Sequence, residues 1–243
     1  MAKMWEIKQS VEGILNLYIY GYVEGDSYDW WDGPVKSTTS ADHFREELAK
    51  YPNISEIHIY INSYGGSVFE GTAIYNQLRR HSAKKVVHID GFACSIASVI
   101  AMAGDEIIMP RNTMMMIHNM SMGVFGTSAE LRKAAADLDT INAAGRQAYL
   151  ARAGDRLTED ALVSMMDAET WLTAEQCIEY GFADRYADTD ADLTKAKEIL
   201  QQVNLNLEQR IHVNRGLAAQ LREMATPPQP SSSLSNPILK MFN

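Results

Sequence analysis

The chain has 243 residues, 46% of them hydrophobic, and its 31 Asp and Glu exceed its 22 Lys and Arg to give a formal net charge of −9. This hydrophobic content is sufficient for a packed core and excludes global disorder. The acidic balance argues against nucleic acid as a partner, because phosphate binding needs a basic surface.

Signals for secretion or membrane insertion are missing from the sequence. The first residues lack the apolar segment of a signal peptide, and the longest mostly apolar stretch, 92–104, is too short to span a bilayer. Cys94 and Cys177 fit neither a disulfide framework nor a metal-ligand spacing. We therefore expect a cytoplasmic protein with no membrane contact, no metal and no cofactor.

Strand and helix patterns alternate along the first three quarters of the chain. Residues 15–23 are rich in β-forming side chains and predict a strand, and a polar segment with two tryptophans, 24–40, follows it. Residues 41–51 predict an amphipathic helix with Ser40 as its N-cap. A second strand is predicted over 56–63.

The alternation continues beyond this strand. A tight turn, SYGGSV, leads to a helical pattern, and the further predicted elements are a helix over 69–80, a strand over 85–90, a helix from Ser95, and strands over 106–109 and 113–118. Strands that alternate with helices favour βαβ units and a mainly parallel sheet. The sequence therefore predicts an α/β fold.

Two further helices and a change of composition complete the organisation. Residues 128–153 predict a long helix, and another opens at Thr173 with a capping box and stops near Gly181. Beyond about residue 188 a helical segment precedes a Pro/Ser-rich stretch, 226–237. We predict a domain over 1–190 and, over 191–243, a helical extension with a flexible tail.

Ser95 lies between a predicted strand and a predicted helix, directly after Cys94. A serine there presents its hydroxyl at a helix N-terminus, where backbone N–H groups favour a developing anion. An ordinary N-cap is the alternative for Ser95, and simple packing is the expected role of Cys94.

His118 stands at the end of an apolar strand, the position where open α/β sheets place functional groups. Two other histidines, His58 and His88, lie inside predicted strands and are expected to fill pleated faces. Asp167 and Glu169 can each orient a histidine or be ordinary surface acids, and their positions alone do not decide.

The NSYGG turn, residues 62–66, follows a strand and precedes a helix. Its two glycines let the backbone approach a ligand closely, so that an N–H group can face an oxyanion. A purely structural turn is the alternative. The segment matches neither phosphate-binding glycine motif.

Four motifs in order, YINSYGGSVFEGTAIYNQL, GFACSIASVIAMAG, MMMIHN and ETWLTAEQCIEYGFAD, resemble the proteolytic subunit of the Clp protease family. INSYGGSVFEG, ETWLTAEQ and the tryptophan near the start are similar to the Clp-related head-maturation (prohead) proteases of tailed bacteriophages. The resemblance covers roughly residues 15–188, the span of those motifs and the strand before them.

The resemblance implies a Clp/crotonase-like fold of repeated β-β-α units and a serine endopeptidase. It implies that Ser95 is the nucleophile and His118 the general base. It also implies that the backbone N–H groups of Gly66 and Ile96 form the oxyanion hole, and that Glu169 is the orienting acid. Glu169 replaces the usual aspartate, which leaves Asp167 as the alternative acid.

A homo-oligomeric ring that acts on protein or peptide substrates is also implied, with the helix over 128–153 as the candidate contact between rings. A capsid or scaffold precursor and an unfoldase are the candidate partners, in the bacterial host cytoplasm or at the phage prohead. The rival functions are a crotonase-type acyl-CoA enzyme, for which no adenine or phosphate motif is visible, and a decayed, non-enzymatic assembly protein.

Overall fold

The computed structural model describes residues 5–11, 13–31 and 33–188. Its main feature is a mostly parallel β-sheet. In chain order the strands are β1 (Trp5–Val11), β2 (Ile14–Val23), β3 (Ser27–Asp29), β4 (Gly33–Val35), β5 (Glu56–Gly66), β6 (Lys84–Cys94), β7 (Glu106–Met109), β8 (Met114–Ile117), β9 (Thr170–Thr173) and β10 (Arg185–Tyr186). The helices are α1 (Ala41–Leu48), α2 (Val68–Arg80), α3 (Ile96–Ala101), α4 (Ser128–Ala153), α5 (Glu159–Asp167) and α6 (Ala174–Glu179), with a 3-10 turn at Gly154–Arg156.

The sheet has the order β1-β2-β5-β6-β7-β10, and β3 and β4 form a separate small hairpin. Its inner pairings are parallel, while β1 runs antiparallel to β2. Strand β6 changes partner along its length, because residues 86–88 pair with β7 and residues 92–94 pair with β8. Strand β9 then pairs antiparallel with β8. The predicted α/β class and mainly parallel sheet are confirmed.

Alternation along the strands creates the core. In β2, Leu15, Leu17 and Ile19 are fully buried, whereas the residues between them are half-buried. They belong to one hydrophobic cluster with Phe44 of α1 and Ile74 of α2. Each such side chain contributes roughly 1.5–3 kcal/mol of burial free energy, so this face of the sheet holds the helices in place.

The opposite face of the sheet carries a row of stacked rings. Tyr60 stacks on Tyr18 with ring centroids 4.8 Å apart and on His88 at 4.7 Å. His58 continues the row, and its Nδ1 lies 3.0 Å from Nε2 of His88. The interpretation of His58 and His88 as residues of a pleated face is confirmed.

Several observed strand and helix boundaries differ from the predicted ones. Strand β6 continues to Cys94, four residues beyond the predicted strand, because its last three residues find a second partner in β8. Strand β5 likewise runs through Gly66, since residues 65 and 66 still pair with the end of β2. The turn therefore contains fewer residues than the predicted SYGGSV segment. The chain changes direction between Gly66 and Ser67, the N-cap of α2. Helix α1 ends three residues early, at Leu48.

Capping residues account for the helix starts that were predicted correctly. Ser40 caps α1, and the capping box at Thr173 opens α6. Helix α4 has the predicted span, with a further capping box between Thr127 and Glu130. Strands β1, β3, β4, β9 and β10 and helix α5 were not predicted. None of the helices in the described ranges combines the length and hydropathy needed to cross a bilayer.

The predicted segments in 191–243 lie outside the described residues, and the domain boundary at 190 stays a prediction. Within the described part, the polar segment after β2 contains the small hairpin. Its tryptophans, Trp30 and Trp31, are 91% and 95% exposed.

Candidate active site

Ser95 connects β6 to α3 in a backbone conformation that L-amino acids rarely adopt. Its φ is 54° and its ψ is −130°, and its side chain makes no capping hydrogen bond to α3. A non-glycine residue held at such angles costs about 1–3 kcal/mol and is found mainly where function requires it. Ser95 therefore occupies the N-cap position of α3 without capping the helix through its side chain.

The Ser95 hydroxyl points at His118. Ser95 Oγ lies 2.8 Å from His118 Nε2, a hydrogen-bond distance between residues 23 positions apart. The parallel pairing of β6 with β8 explains the contact, because Cys94 is in register with Met116 and the two strands end side by side. The structure thus brings together the two residues that the sequence singled out separately.

Cys94 has a different environment. Its side chain is fully buried, and burial raises the pKa of the thiol to about 12. A thiol with that pKa carries no charge near neutral pH, and the thiolate is the reactive form. Cys94 is a packing residue of the strand, as expected.

The two candidate acids differ in their surroundings. Strands β8 and β9 pair Ile117 with Thr170, so Glu169, which precedes Thr170, lies at the same end of this strand pair as His118, which follows Ile117. Asp167 accepts a hydrogen bond from Asn119 Nδ2 at 2.6 Å. Within the described residues, the only hydrogen bond of the His118 ring is the one with Ser95.

Glu169 shares a backbone feature with Ser95. Its φ is 50°, and these are the two non-glycine residues with positive φ in the described part of the chain. The Glu169 N–H donates to Met166 O at 3.2 Å, which ends α5 and turns the chain into β9. This turn places Glu169 between the end of α5 and the start of β9.

Gly65 and Gly66 bring the end of β5 against the Ser95 turn. A Cβ atom at Gly65 would lie 2.7 Å from Ser95 Cβ and 3.1 Å from Ile96 N, and one at Gly66 would lie 2.1 Å from Val23 O. Their φ values of 95° and 143° also disfavour any other residue. The close approach places the predicted donors, Gly66 and Ile96, on adjoining stretches of backbone.

Ser98 and Tyr149 are polar residues at this site that the sequence did not indicate. Ser98 Oγ lies 2.6 Å from Ser95 O and 2.7 Å from the Tyr149 hydroxyl. Ser98 sits in an apolar helix and Tyr149 lies 51 residues further along the chain. No local pattern links them, and the available signal was one polar residue within the apolar stretch IASVIA.

A pocket of about 820 Å³ adjoins the three segments that carry the predicted site residues. Val68 lies two residues after Gly66, Val99 one helical turn after Ser95, and Met120 two residues after His118. Small residues of α4, Ala144, Gly145 and Ala148, form the facing wall. The lining is mainly apolar and suits an apolar side chain.

Met120 is fixed to the α4 wall of this pocket. Its N–H donates to Asn142 Oδ1 at 2.7 Å. A Cβ atom at Gly145 would lie 2.3 Å from Met120 Cε, so the glycine leaves room for this side chain. The depth of the pocket therefore depends on the contact between Met120 and Gly145.

Comparison with known proteins identifies the family of the chain. Residues 33–190 match the Clp protease family. The chain is 31% identical over 188 residues to an ATP-dependent Clp protease proteolytic subunit of Deinococcus radiodurans, covering 75% of this chain and 90% of that protein.

Two actinobacterial relatives match over shorter spans. Clp proteolytic subunit 3 of Rhodococcus jostii is 30% identical over 143 residues, which is 57% of this chain and 68% of that protein. Subunit 1 of Streptomyces avermitilis is 32% identical over 142 residues, 57% of this chain and 64% of that protein. With the family match over more than half of its length, the chain belongs to the Clp protease family, a family of serine peptidases.

Proposed function

We propose that the chain is a serine endopeptidase in which Ser95 is the nucleophile and His118 the general base. The observation that carries the proposal is the 2.8 Å distance between Ser95 Oγ and His118 Nε2 at a serine held in a strained turn. This distance is within the range for direct proton transfer between a nucleophile and its base.

The reaction follows from these positions. Nε2 of His118 removes the hydroxyl proton as Ser95 Oγ forms a bond to the carbonyl carbon of the substrate. The negative charge on the carbonyl oxygen is then held by the N–H groups of Gly66 and Ile96. His118 returns the proton to the leaving amine, and water hydrolyses the acyl-enzyme by the same route.

Glu169 is our proposed orienting acid. The pairing of Ile117 with Thr170, which puts Glu169 at the same strand end as His118, supports this role, while the Asp167 carboxylate is engaged by Asn119. A carboxylate at His118 Nδ1 selects the tautomer with a free Nε2 and stabilises the imidazolium that forms during the reaction. The proposal therefore requires the Glu169 carboxylate to move within hydrogen-bond distance of His118 Nδ1.

The pocket between α2, α3 and α4 is the proposed site for a substrate side chain. It borders the segments of Gly66, Ser95 and His118, and its lining is mainly apolar. An apolar or aromatic side chain next to the scissile bond would fill it and hold the carbonyl against Ser95.

For the biological substrate we propose precursor proteins of a phage head, either capsid or scaffold subunits. The support is the similarity of INSYGGSVFEG and ETWLTAEQ to head-maturation proteases. Activity in the bacterial host cytoplasm or at the prohead follows from that substrate.

A homo-oligomeric ring is also part of the proposal. The first half of α4 is mostly exposed, including Leu131, which leaves a helix surface for contact with another copy. The relatives are named as proteolytic subunits of ATP-dependent proteases, which supports an unfoldase as a further partner.

Fluorophosphonate labelling tests the chemistry directly. We expect wild-type protein to be labelled at Ser95, and Ser95→Ala to remain unlabelled with an unchanged mass in solution. A crotonase-type enzyme or an inactive assembly protein would not react. Absence of labelling in folded, assembled wild-type protein would refute the proposal.

Incubation with a capsid precursor and with casein separates the substrate proposals. Cleavage of the capsid precursor at defined bonds supports head maturation. Cleavage of casein alone, without processing of the precursor, would support the proposed peptidase activity and refute the proposed phage substrate.

A further inference from the structure

Ser98 holds the carbonyl group of Ser95. The backbone N–H of Ser98 donates to Ser95 O at 3.0 Å, and its hydroxyl donates to the same oxygen at 2.6 Å. Ser98 is fully buried in α3. The peptide that carries the nucleophile is thus bound twice to the helix that follows it.

Tyr149 of α4 supplies the next hydrogen bond. Its hydroxyl lies 2.7 Å from Ser98 Oγ. A serine hydroxyl has one proton, and that of Ser98 is directed at Ser95 O, with Met116 O more distant at 3.4 Å. Tyr149 is therefore the donor, and the hydrogen bonds run from Tyr149 to Ser98 to the Ser95 carbonyl.

The surroundings of Tyr149 keep its hydroxyl as the donor to Ser98. Tyr149 is 2% exposed, and its ring packs against that of Phe182 with centroids 5.5 Å apart. Burial raises the pKa of Tyr149 above its usual range, so the phenol keeps its proton near neutral pH. The donor is therefore both fixed in place and protonated.

The orientation of the Ser95 carbonyl matters because a peptide unit is planar and trans. Its C=O and the N–H of Ile96 point in opposite directions from one rigid plane. A carbonyl bound toward Ser98 turns the Ile96 N–H toward the Gly65–Gly66 side, where the backbone of Gly65 approaches most closely. Rotation of this plane would withdraw the Ile96 N–H from the oxyanion.

We propose that Ser98 and Tyr149 are positioning residues that hold the Ser95–Ile96 peptide so that the Ile96 N–H stabilises the oxyanion. This inference rests on the proposed serine peptidase function. It assigns to α4 a role in catalysis through two buried hydroxyl groups that do not contact the substrate.

Three variants and one control test the proposal in the full chain. Ser98→Ala removes the central hydroxyl, Tyr149→Phe removes the donor but keeps the ring, and the third variant combines them. Thr113→Ala is the matched control, because its buried hydroxyl also donates to a backbone carbonyl three residues earlier, Pro110 O at 2.8 Å. The measurements are kcat and KM for a peptide ester, the rate of fluorophosphonate labelling, and Tm.

We expect Ser98→Ala to lower kcat and the labelling rate about tenfold with KM unchanged, less than the 10²–10³-fold loss of a whole oxyanion donor. Tyr149→Phe should lower kcat about threefold, and the double variant should match Ser98→Ala, because both changes interrupt one chain of hydrogen bonds. Thr113→Ala should lower Tm without changing kcat.

Three results would overturn the inference. They are a kcat within twofold of wild type in both single variants, additive losses in the double variant, or an equal loss of kcat in Thr113→Ala. Wild-type protein without Ser95-dependent hydrolysis would instead refute the proposed function itself. Tyr149→Phe, which preserves the packing of the ring, decides the matter if Ser98→Ala fails to fold.

Discussion

His118 directly follows Ile117 and Glu169 directly precedes Thr170, the pair that closes the β8–β9 ladder, so both residues lie at the same end of this strand pair, and no hydrogen bond joins their side chains within the described structure. The Asp167 carboxylate, two residues earlier, is bound instead to Asn119. The two acids, which the sequence left as alternatives, therefore have different surroundings in the structure.

The acid can be identified with two amide substitutions. We expect Glu169→Gln to lower kcat by roughly 100-fold or more, because the neutral amide no longer stabilises the imidazolium of His118. Asp167→Asn keeps an oxygen for Asn119 and should stay within about threefold of wild type. Steady-state hydrolysis of a peptide ester measures both. The opposite ranking would assign the role to Asp167.

Removal of the His118 ring should be nearly as damaging as removal of the nucleophile. We expect His118→Ala to lower kcat by roughly a thousandfold or more, because triad residues act as a unit. Cys94→Ala should retain most of the activity, since the Cys94 thiol is buried and uncharged. Loss of labelling in a folded Cys94→Ala protein would contradict this separation of roles.

The pocket predicts a change of specificity at Gly145. A Cβ atom there would meet Met120 Cε, so Gly145→Ala should displace that side chain into the cavity. We expect kcat/KM for a substrate with phenylalanine beside the scissile bond to fall roughly tenfold relative to one with alanine.

Gly123→Ala is the control for that substitution, since a Cβ atom at Gly123 meets nothing within 4 Å. It should leave the preference between the two substrates unchanged. An unaltered preference in Gly145→Ala would mean that the substrate side chain binds elsewhere.

His88 predicts a pH dependence of stability. Burial and the neighbouring His58 lower the pKa of His88 from 6.5 to about 4. Between those values the unfolded chain binds a proton that the folded protein does not. The free energy of unfolding should therefore decrease as the pH falls from about 6.5 to about 4.

Urea unfolding of wild type and His88→Phe measures this effect, because phenylalanine preserves the ring stack and cannot titrate. For each protein, the urea midpoint is expressed relative to its own value at pH 8. Below pH 6.5 we expect this relative midpoint to decrease more steeply for wild type than for His88→Phe. Parallel curves would show that His88 is not responsible.

Truncation after Asp188 tests the predicted domain boundary. All four family motifs end before that residue, so the shortened protein should hydrolyse a peptide ester within about threefold of wild type. Processing of a protein substrate is the second measurement, and its loss with ester hydrolysis intact would show that the removed segment recruits the substrate. Loss of ester hydrolysis in a folded, assembled truncation would place residues of 189–243 in the catalytic unit.

Elements with local signals could be predicted from the sequence. Ser40 and Thr173 cap helices because their hydroxyls reach N–H groups a few residues away, and alternation within 15–23 requires one buried strand face. The strand and helix around Ser95 follow from such patterns as well. Their order along the chain was enough to predict a mainly parallel sheet.

Contacts between distant segments depend on tertiary packing. The change of partner along β6 brings His118 to Ser95, and the β8–β9 pairing brings Glu169 to the same strand end as His118. Tyr149 reaches Ser98 because two helices pack in the core, although 51 residues separate them. A sequence pattern records the period of one element, whereas register and packing depend on the free energy of all the surfaces buried together.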